Sequence, residues 1–339
     1  MRDEDNLPRF ESRYKVLHRI ADGRRGSVYQ VFDSHLQRSL AVKILDRPSE
    51  EQTHAARIFS RIRSPYIVSI LDEREHEGQR SLWMEYVGGK NLQQIMANSR
   101  CRMHWLRVAN IGLQLCEALH CVHQNGLVYR NIALENVILV SQSTLTAREI
   151  VKLCGFGGAV PVTDARTEQG YGSVVYASPE VLGKQRHDQA SDVFALGVLL
   201  YILLTDEHPF SEPQKMLSEE VTAPSAIDAG ISNALDAVLL KALARSSRAR
   251  WSNASEFARA LRGAIAGIDV PPGVHVALPQ ALSQHSRGQP IGRRPEFLYV
   301  LLAMPLVLVL FVYYGVGEFS FGDAFSLGLL FFILALLRR

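Results

Sequence analysis

The stretch from Ser191 to Leu204 constrains the fold more than any other part of this sequence. Nearly all of its residues are apolar, so a helix formed here has no polar face to present to water and is expected to be buried on every side. Such a helix needs a large helical lobe around it. With 339 residues and 47% hydrophobic content, the chain has enough material for a core of that size.

Strand patterns precede this helical region. Short segments rich in β-branched and aromatic residues alternate with turn-type breaks, which predicts an antiparallel meander. The three predicted strands are Tyr14–Ile20, Ser27–Asp33 and Ser39–Leu45. Apolar residues at three- and four-residue spacing predict helices over Glu51–Arg63 and Trp105–His123. Strands first and helices later are typical of an α+β domain, which we place at residues 14–266 after a tail of residues 1–13.

Charge and cysteine content exclude two classes of function. The 37 basic and 34 acidic residues give a formal net charge of +3 and are spread along the chain, so nucleic acid is not expected as a partner. The four cysteines form no CxxC pair, and no histidine cluster accompanies them at metal-ligand spacing, so we interpret them as reduced, buried residues.

The C-terminal part of the sequence predicts attachment to a membrane. Residues 267–295 have the composition of a linker, residues 296–317 are long and apolar enough for a transmembrane helix, and residues 319–337 form a second, less uniform apolar segment. Arginine pairs before the first segment and after the second favour a hairpin with both ends in the cytoplasm, as at a bacterial inner membrane. A single span followed by an interfacial tail is the alternative.

Short motifs in the first three quarters of the chain occur in a recognisable order. They are Gly23–Val28, Ala41-Val42-Lys43, Met84-Glu85-Tyr86-Val87, Tyr129–Asn136, Gly155-Phe156-Gly157, Ser178-Pro179-Glu180 and Ser191-Asp192. Together they resemble the eukaryotic-type (Hanks-type) Ser/Thr protein kinase family, whose bacterial members often carry a membrane anchor after the kinase domain. The resemblance implies a bilobal fold, with a small β-rich N-lobe and a larger helical C-lobe, followed here by the transmembrane hairpin.

The resemblance also implies a nucleotide cleft. Its glycine-rich loop would cover phosphates, a lysine would contact them, and an apolar slot with backbone polar groups would hold adenine. The matching positions are Gly23, Gly26, Val28, Ala41, Lys43, Met84, Glu85, Val87 and Ile138. ATP is the cofactor this implies. Because core packing demands apolar walls in any case, these residues by themselves do not establish nucleotide binding.

The catalytic positions depart from the family pattern. Asn131 stands where the family has the aspartate that accepts the substrate proton, and Gly155 stands where it has the metal-binding aspartate. Ala133 replaces the catalytic lysine, and Ala55 replaces the glutamate that holds the nucleotide lysine. Asn136 survives as a weak metal ligand, so Mg²⁺ is not expected to bind in the usual way.

Positions that serve packing are retained. The resemblance implies a hydrophobic column between the lobes, an aspartate that anchors the base of the column, and a buried ion pair near the activation segment. The matching residues are Phe59, Ile70, Tyr129, Phe156, Asp192, Glu180 and Arg250.

Selective loss of chemical groups favours a pseudokinase: a binding or regulatory scaffold whose partner would be a protein, such as a partner kinase or its substrate. A nucleotide sensor without phosphate transfer overlaps with this interpretation. The alternative is an atypical active Ser/Thr kinase or other ATP-dependent transferase, in which Glu135, Asp22 or Asp164 supplies the missing carboxylate.

Overall fold

The structure is a computed structural model that describes residues 8, 10–23, 26–46, 50–76, 78–99, 102–141, 149–162 and 173–267. The N-terminal part of these residues forms a five-stranded antiparallel sheet in the order β1-β2-β3-β5-β4. Its strands are β1 (Tyr14–Gly23), β2 (Gly26–Asp33), β3 (Arg38–Ile44), β4 (Ile70–His76) and β5 (Gln79–Glu85). The predicted meander of the first three strands is therefore confirmed.

Helix α1 (Glu50–Phe59) connects β3 to β4 and ends before the predicted Arg63. Pro65 disfavours helical backbone in the residue before it, so the helix has to stop upstream. The following segment then pairs with the second lobe, where Leu153 N–H donates to Tyr66 O at 2.8 Å and Val68 N–H donates to Leu153 O at 2.9 Å. Residues 60–63, which periodicity placed in the helix, instead form the turn and loop that lead to this pairing.

The second lobe is mainly helical. Its helices are α2 (Leu92–Ser99), α3 (Trp105–Gln124), α4 (Pro179–Leu182), α5 (Gln189–Thr205), α6 (Pro224–Ile227), α7 (Asn233–Ala242) and α8 (Ala254–Ala266). Helix α5 contains the apolar stretch Ser191–Leu204 and packs against α3, α7 and α8. Residues on all sides of α5 are buried, so the prediction of a helix enclosed by a large helical lobe is confirmed.

Two small sheets complete the lobe where it meets the cleft. One has the order β6-β8-β9, and the other pairs β10 with β7. Their strands are β6 (Lys90–Asn91), β7 (Leu127–Val128), β8 (Val137–Ser141), β9 (Glu149–Leu153) and β10 (Val160–Pro161). The loops that follow β7 and β9 carry the two motifs with the missing carboxylates, and the adjoining strands place those loops side by side.

Polar side chains fix where the long helices begin. The Asp188 carboxylate accepts the Ser191 N–H at 2.9 Å, and the Ser191 hydroxyl in turn accepts the Asp188 N–H at 3.3 Å, which forms a capping box at α5. Ser232 and Asn253 cap α7 and α8 through single side-chain acceptors. The Ser191 hydroxyl of the α5 cap also donates to the Glu180 carboxylate at 2.7 Å.

The described residues end at Gly267, next to the predicted domain boundary. None of the helices in this part of the chain combines the length and the apolar character required to cross a bilayer. The linker of residues 267–295 lies almost wholly outside the described residues, and the predicted spans 296–317 and 319–337 lie entirely outside them.

Candidate functional site

A cleft of about 670 Å³ lies between the five-stranded sheet and the loops of the helical lobe. Val28 and Ala41 line it from the sheet side, and Ile138 lines it from the opposite side. This volume lies within the range of roughly 300–1,000 Å³ that is typical of small-molecule sites. Mostly apolar walls with a few polar groups suit a flat heterocyclic ligand.

All nine residues that the resemblance assigned to nucleotide binding lie in the lining of this cleft. They are Gly23, Gly26, Val28, Ala41, Lys43, Met84, Glu85, Val87 and Ile138. The structure adds others that sequence reasoning missed, namely Ile20, Leu45, Val68, Leu82, Gly89, Asn91, Gln93, Gln94 and Cys154. Ile20 had a usable signal, because it is an apolar residue directly before the glycine-rich loop.

The two loop glycines differ in whether the backbone requires them. Gly26 has φ +118°, and a Cβ there would lie 1.8 Å from the Ile44 carbonyl oxygen, so no other residue fits this backbone. At Gly23 the nearest such atom would be 3.7 Å away. Close packing of β2 on the end of β3 therefore explains Gly26 without reference to any ligand.

The Glu85 side chain links the two lobes behind the cleft. Its carboxylate accepts the Lys152 ammonium at 2.6 Å and the Ser69 N–H at 3.0 Å. The Glu85 N–H donates to Ser69 O at 3.0 Å, so that N–H is already used inside the protein. A ligand in the slot would instead meet the carbonyl side of Glu85 and the backbone of Val87.

At the metal end of the cleft, an amide at position 131 and a glycine at position 155 stand where the family pattern has carboxylates. The Asn131 Nδ2 donates to Gly155 O at 2.8 Å, and the Asn136 Nδ2 donates to Asn131 O at 2.9 Å. Gly155 has φ +88°, and a Cβ built on it would lie 2.6 Å from Asn136 Oδ1. The Asn136 side chain therefore occupies the space into which a side chain at position 155 would project.

These residues do not fit Mg²⁺. A hard dication prefers several oxygen ligands that include carboxylates, whereas Gly155 offers no side chain and Asn136 offers one neutral oxygen. The described residues also contain no cluster of three or more His, Cys, Asp or Glu side chains that could hold a metal ion. The side chain that the family pattern requires at position 155 is thus absent, and Asn136 lies in the space it would occupy.

Two further departures are packed into the core. Ala55 on α1 and Ala133 in the loop after β7 are both fully buried. Ala55 therefore leaves no carboxylate to face Lys43 from this position of α1. A longer charged side chain at either position would have to displace its neighbours or be placed in an apolar environment at high cost.

An aromatic column joins the lobes beside this site. The rings of Phe59 and Phe156 have centroids 4.5 Å apart, and the Tyr129 ring meets Phe59 edge-on at 6.5 Å. Ile70 is buried in the same hydrophobic cluster. The Tyr129 hydroxyl also donates to the carbonyl of Cys154, a contact that sequence reasoning did not anticipate.

Asp192 holds the loop that carries Tyr129. Its buried carboxylate accepts the backbone N–H groups of Tyr129 and Arg130, each at 2.8 Å, and lies 2.9 Å from His123 Nε2. A carboxylate that accepts two N–H groups fixes the path of the backbone between them. The first turn of α5 thereby positions the loop whose catalytic aspartate is missing.

Glu180 and Arg250 form a bidentate ion pair. The two guanidinium nitrogens lie 2.7 and 2.8 Å from the two carboxylate oxygens, and the Arg250 side chain is fully buried. Burial disfavours the charged form of Glu180, but the hydrogen bonds and charge of Arg250 outweigh this effect and lower its pKa to about 2. The pair joins α4 to the segment before α8.

A two-lobed arrangement, with a β-sheet, a helical lobe and a cleft between them, is the architecture of a protein kinase domain. Residues 14–261 match the model of the family described as "Protein kinase domain". This chain belongs to the protein kinase family.

Its relatives include bacterial Ser/Thr kinases. The chain is 32% identical to the serine/threonine-protein kinase PknB of Mycobacterium leprae over 276 residues, which cover 74% of this chain and 42% of that protein. It is 28% identical to a probable serine/threonine-protein kinase PknB of Lactococcus lactis, over 73% of this chain and 41% of the relative. The chain thus matches about two fifths of the length of these relatives.

The kinase domain of Mycobacterium tuberculosis PknI, solved as a crystal structure of a point mutant, has a similar fold. The TM-score is 0.59 at 25% identity, and the match covers 75% of this chain and 96% of that domain. The bilobal fold predicted from the motifs is therefore shown.

Proposed function

We propose that this protein is a pseudokinase, which uses a kinase-shaped domain to bind and regulate a protein partner and does not transfer phosphate. The observation that carries the proposal is the metal end of the cleft, where Asn136 fills the space beside Gly155 and Asn131 donates to the Gly155 carbonyl. An amide side chain is not basic, so Asn131 cannot take the proton of a substrate hydroxyl.

The expected effect on rate is large. Loss of a positioned base typically lowers the rate by about 10²- to 10⁴-fold, and loss of charge stabilisation on the transferring group adds further to the barrier. Protein kinases usually turn over at roughly 1–100 per second, so the remaining rate would be near background. The retained packing residues support a function that depends on the shape of the domain and not on catalysis.

ATP fits the cleft even though Mg²⁺ does not. Val28, Ala41 and Ile138 would enclose the base, the backbone of Val87 would meet its polar edge, and Lys43 would face the phosphates. In an inactive domain, bound nucleotide occupies the cleft as a ligand and transfers no phosphate. This leaves room for a nucleotide-sensing role without transfer.

An atypical active kinase is the second candidate, because two carboxylates besides that of Glu85 line the same cleft. Glu135 follows the Asn131 loop and is exposed, while Asp22 lies in the glycine-rich loop and accepts the Ser27 hydroxyl at 2.7 Å. Either could hold a cation at a shifted position. Asp164, the third acid considered, lies outside the described residues.

We further propose that residues 296–317 and 319–337 anchor the domain at the cytoplasmic face of a bacterial inner membrane. Support comes from their apolar composition and the flanking arginines. A partner kinase, or the substrate of such a kinase, is the proposed protein partner. A membrane anchor would confine the encounter between the domain and this partner to two dimensions.

The test is a phosphate-transfer assay on the full chain in detergent micelles, with Mg²⁺ and with Mn²⁺. We expect no transfer above the level of Lys43→Ala, which serves as the control for contaminating kinases. Turnover that depends on Lys43 would refute the pseudokinase proposal. If that turnover disappears in Glu135→Gln, the second candidate is correct.

ATP binding is measured separately by thermal shift. A shift that is the same with and without Mg²⁺ supports nucleotide binding by an inactive domain. A shift that requires Mg²⁺ and is lost in Glu135→Gln supports the atypical kinase. The absence of any shift leaves a scaffold without nucleotide.

A further inference from the structure

The loop after β7 and the segment after β9 are joined by a continuous set of hydrogen bonds. Asn136 Nδ2 donates to Asn131 O at 2.9 Å, and Asn131 Nδ2 donates onward to Gly155 O at 2.8 Å. The Cys154 N–H donates back to Asn136 O at 2.9 Å, and the Tyr129 hydroxyl donates to Cys154 O. We define Asn131, Asn136 and Gly155 as the amide bridge.

The amide bridge lies where an active kinase uses a metal ion held between an asparagine and an aspartate. A bound cation joins these two segments only while it is present. The hydrogen bonds between amides and carbonyls described here, in contrast, form without any cation.

The contact made by residue 131 depends on a side chain that donates a hydrogen bond. Asn131 acts as a donor toward a carbonyl oxygen 2.8 Å away. An ionised aspartate of the same shape has no donor and would place a negative charge against that oxygen. The missing carboxylate at 131 and the missing side chain at 155 are therefore coupled: Gly155 makes room for Asn136, and Asn131 fastens the backbone of Gly155.

We propose that the amide bridge replaces the metal as the connection between these segments, and that it holds Cys154–Phe156 in one conformation without cation or nucleotide. Phe156 then stays against Phe59, and the column between the lobes remains assembled in all ligand states. The domain therefore presents the same surface to a protein partner in every ligand state. This inference rests on the proposed loss of metal-dependent catalysis and adds a mechanism to it.

Hydrogen exchange of the full chain in detergent micelles tests the bridge, with mass spectrometry of peptides that cover residues 150–160. The variant is Asn131→Asp. The matched control is Asn125→Asp at the exposed end of α3, where the same amide group donates to a backbone carbonyl, Cys121 O, at 2.8 Å. We expect exchange in this segment to rise at least about tenfold in Asn131→Asp and to stay unchanged in the control.

The pH dependence separates this role from a merely structural one. A protonated aspartate regains a donor, so the excess exchange of Asn131→Asp over wild type should vanish as the pH falls below about 4. Asn131→Ala removes the donor to Gly155 O without adding charge and should raise exchange at every pH. This variant also tests whether the amide bridge holds the segment if Asn131→Asp does not fold.

The metal arm uses MgCl₂ alone and MgCl₂ with ATP on the wild-type protein. We expect exchange in residues 150–160 to be the same in both conditions and in their absence. Protection that appears only with Mg²⁺ would overturn the inference, as would normal exchange in Asn131→Ala. Lys43-dependent phosphate transfer by a protein whose segment stays protected would refute the proposed function and leave the bridge intact.

Discussion

Replacement of Glu180 by glutamine should destabilise the domain strongly at neutral pH. The substitution would leave the Arg250 guanidinium, which is fully buried, without a charged partner and with the carbonyls of Ala244, Arg245 and Ala190 as its remaining protein acceptors. Removal of one partner from a buried ion pair typically costs about 3–5 kcal/mol. We expect the lower end of this range, because these three carbonyls and the neutral oxygen of the introduced glutamine still accept hydrogen bonds from Arg250.

The pKa of Glu180 gives a second measure of the same interaction. A decrease from the ordinary value of 4.5 to about 2 corresponds to about 3 kcal/mol in favour of the charged form, less a discount for the partial exposure of this carboxylate. Because the pKa is lowered in the folded state, the contribution is fully present above about pH 4.5. It is lost as the pH falls toward 2.

Thermal unfolding followed by tryptophan fluorescence measures this effect in the full chain. All three tryptophans, Trp83, Trp105 and Trp251, lie in the described domain. We expect the melting temperature of Glu180→Gln at pH 7 to be lower by roughly 6–12 °C. The difference from wild type should narrow as the pH falls below 4.5.

The control is Glu75→Gln, which breaks an exposed ion pair with Arg80 at 3.2 Å and should cost less than about 1 kcal/mol. If Glu180→Gln melts within about 2 °C of this control, a difference of less than about 1 kcal/mol, the reasoning about the buried pair is wrong.

Three other substitutions probe the cleft and the column. Gly26→Ala should lower the free energy of unfolding by at least about 2 kcal/mol, because its Cβ would overlap the Ile44 carbonyl. Gly23→Ala is the control and should have little effect on chemical denaturation. Equal denaturation midpoints for the two variants would contradict this prediction. Tyr129→Phe should cost about 1–2 kcal/mol, since it leaves the Cys154 carbonyl without its side-chain donor, and an unchanged urea midpoint would rule out that hydrogen bond.

Much of the fold could be predicted from the sequence because the relevant signals are local. The strand-type segments between turn-type breaks predicted β1 to β3, and the apolar stretch in α5 predicted a buried helix whatever surrounds it. The end of α1 was placed too late, at Arg63, because periodicity does not show that residues 66–68 pair with β9. Pairing between distant segments depends on the path of the whole chain.

Part of the candidate site could also be predicted from the sequence. Motif order placed nine residues in one cleft, and the structure brings all nine together. The order of the motifs did not indicate that the Glu85 carboxylate would accept a hydrogen bond from Lys152, because these residues are far apart in sequence and no motif links them. Motif order also did not show that the Ile44 carbonyl oxygen leaves no space for a Cβ at position 26.

The sequence by itself determined which chemical groups this protein lacks. No fold can restore a carboxylate to Asn131 or Gly155, and the composition of those positions fixes the donors and acceptors that are available. Only the tertiary structure decided what the remaining groups do, because the contact from Asn131 to Gly155 joins residues in separate loops whose approach is set by the adjoining strands and by Asp192. Composition supplies the amides, and packing orients them.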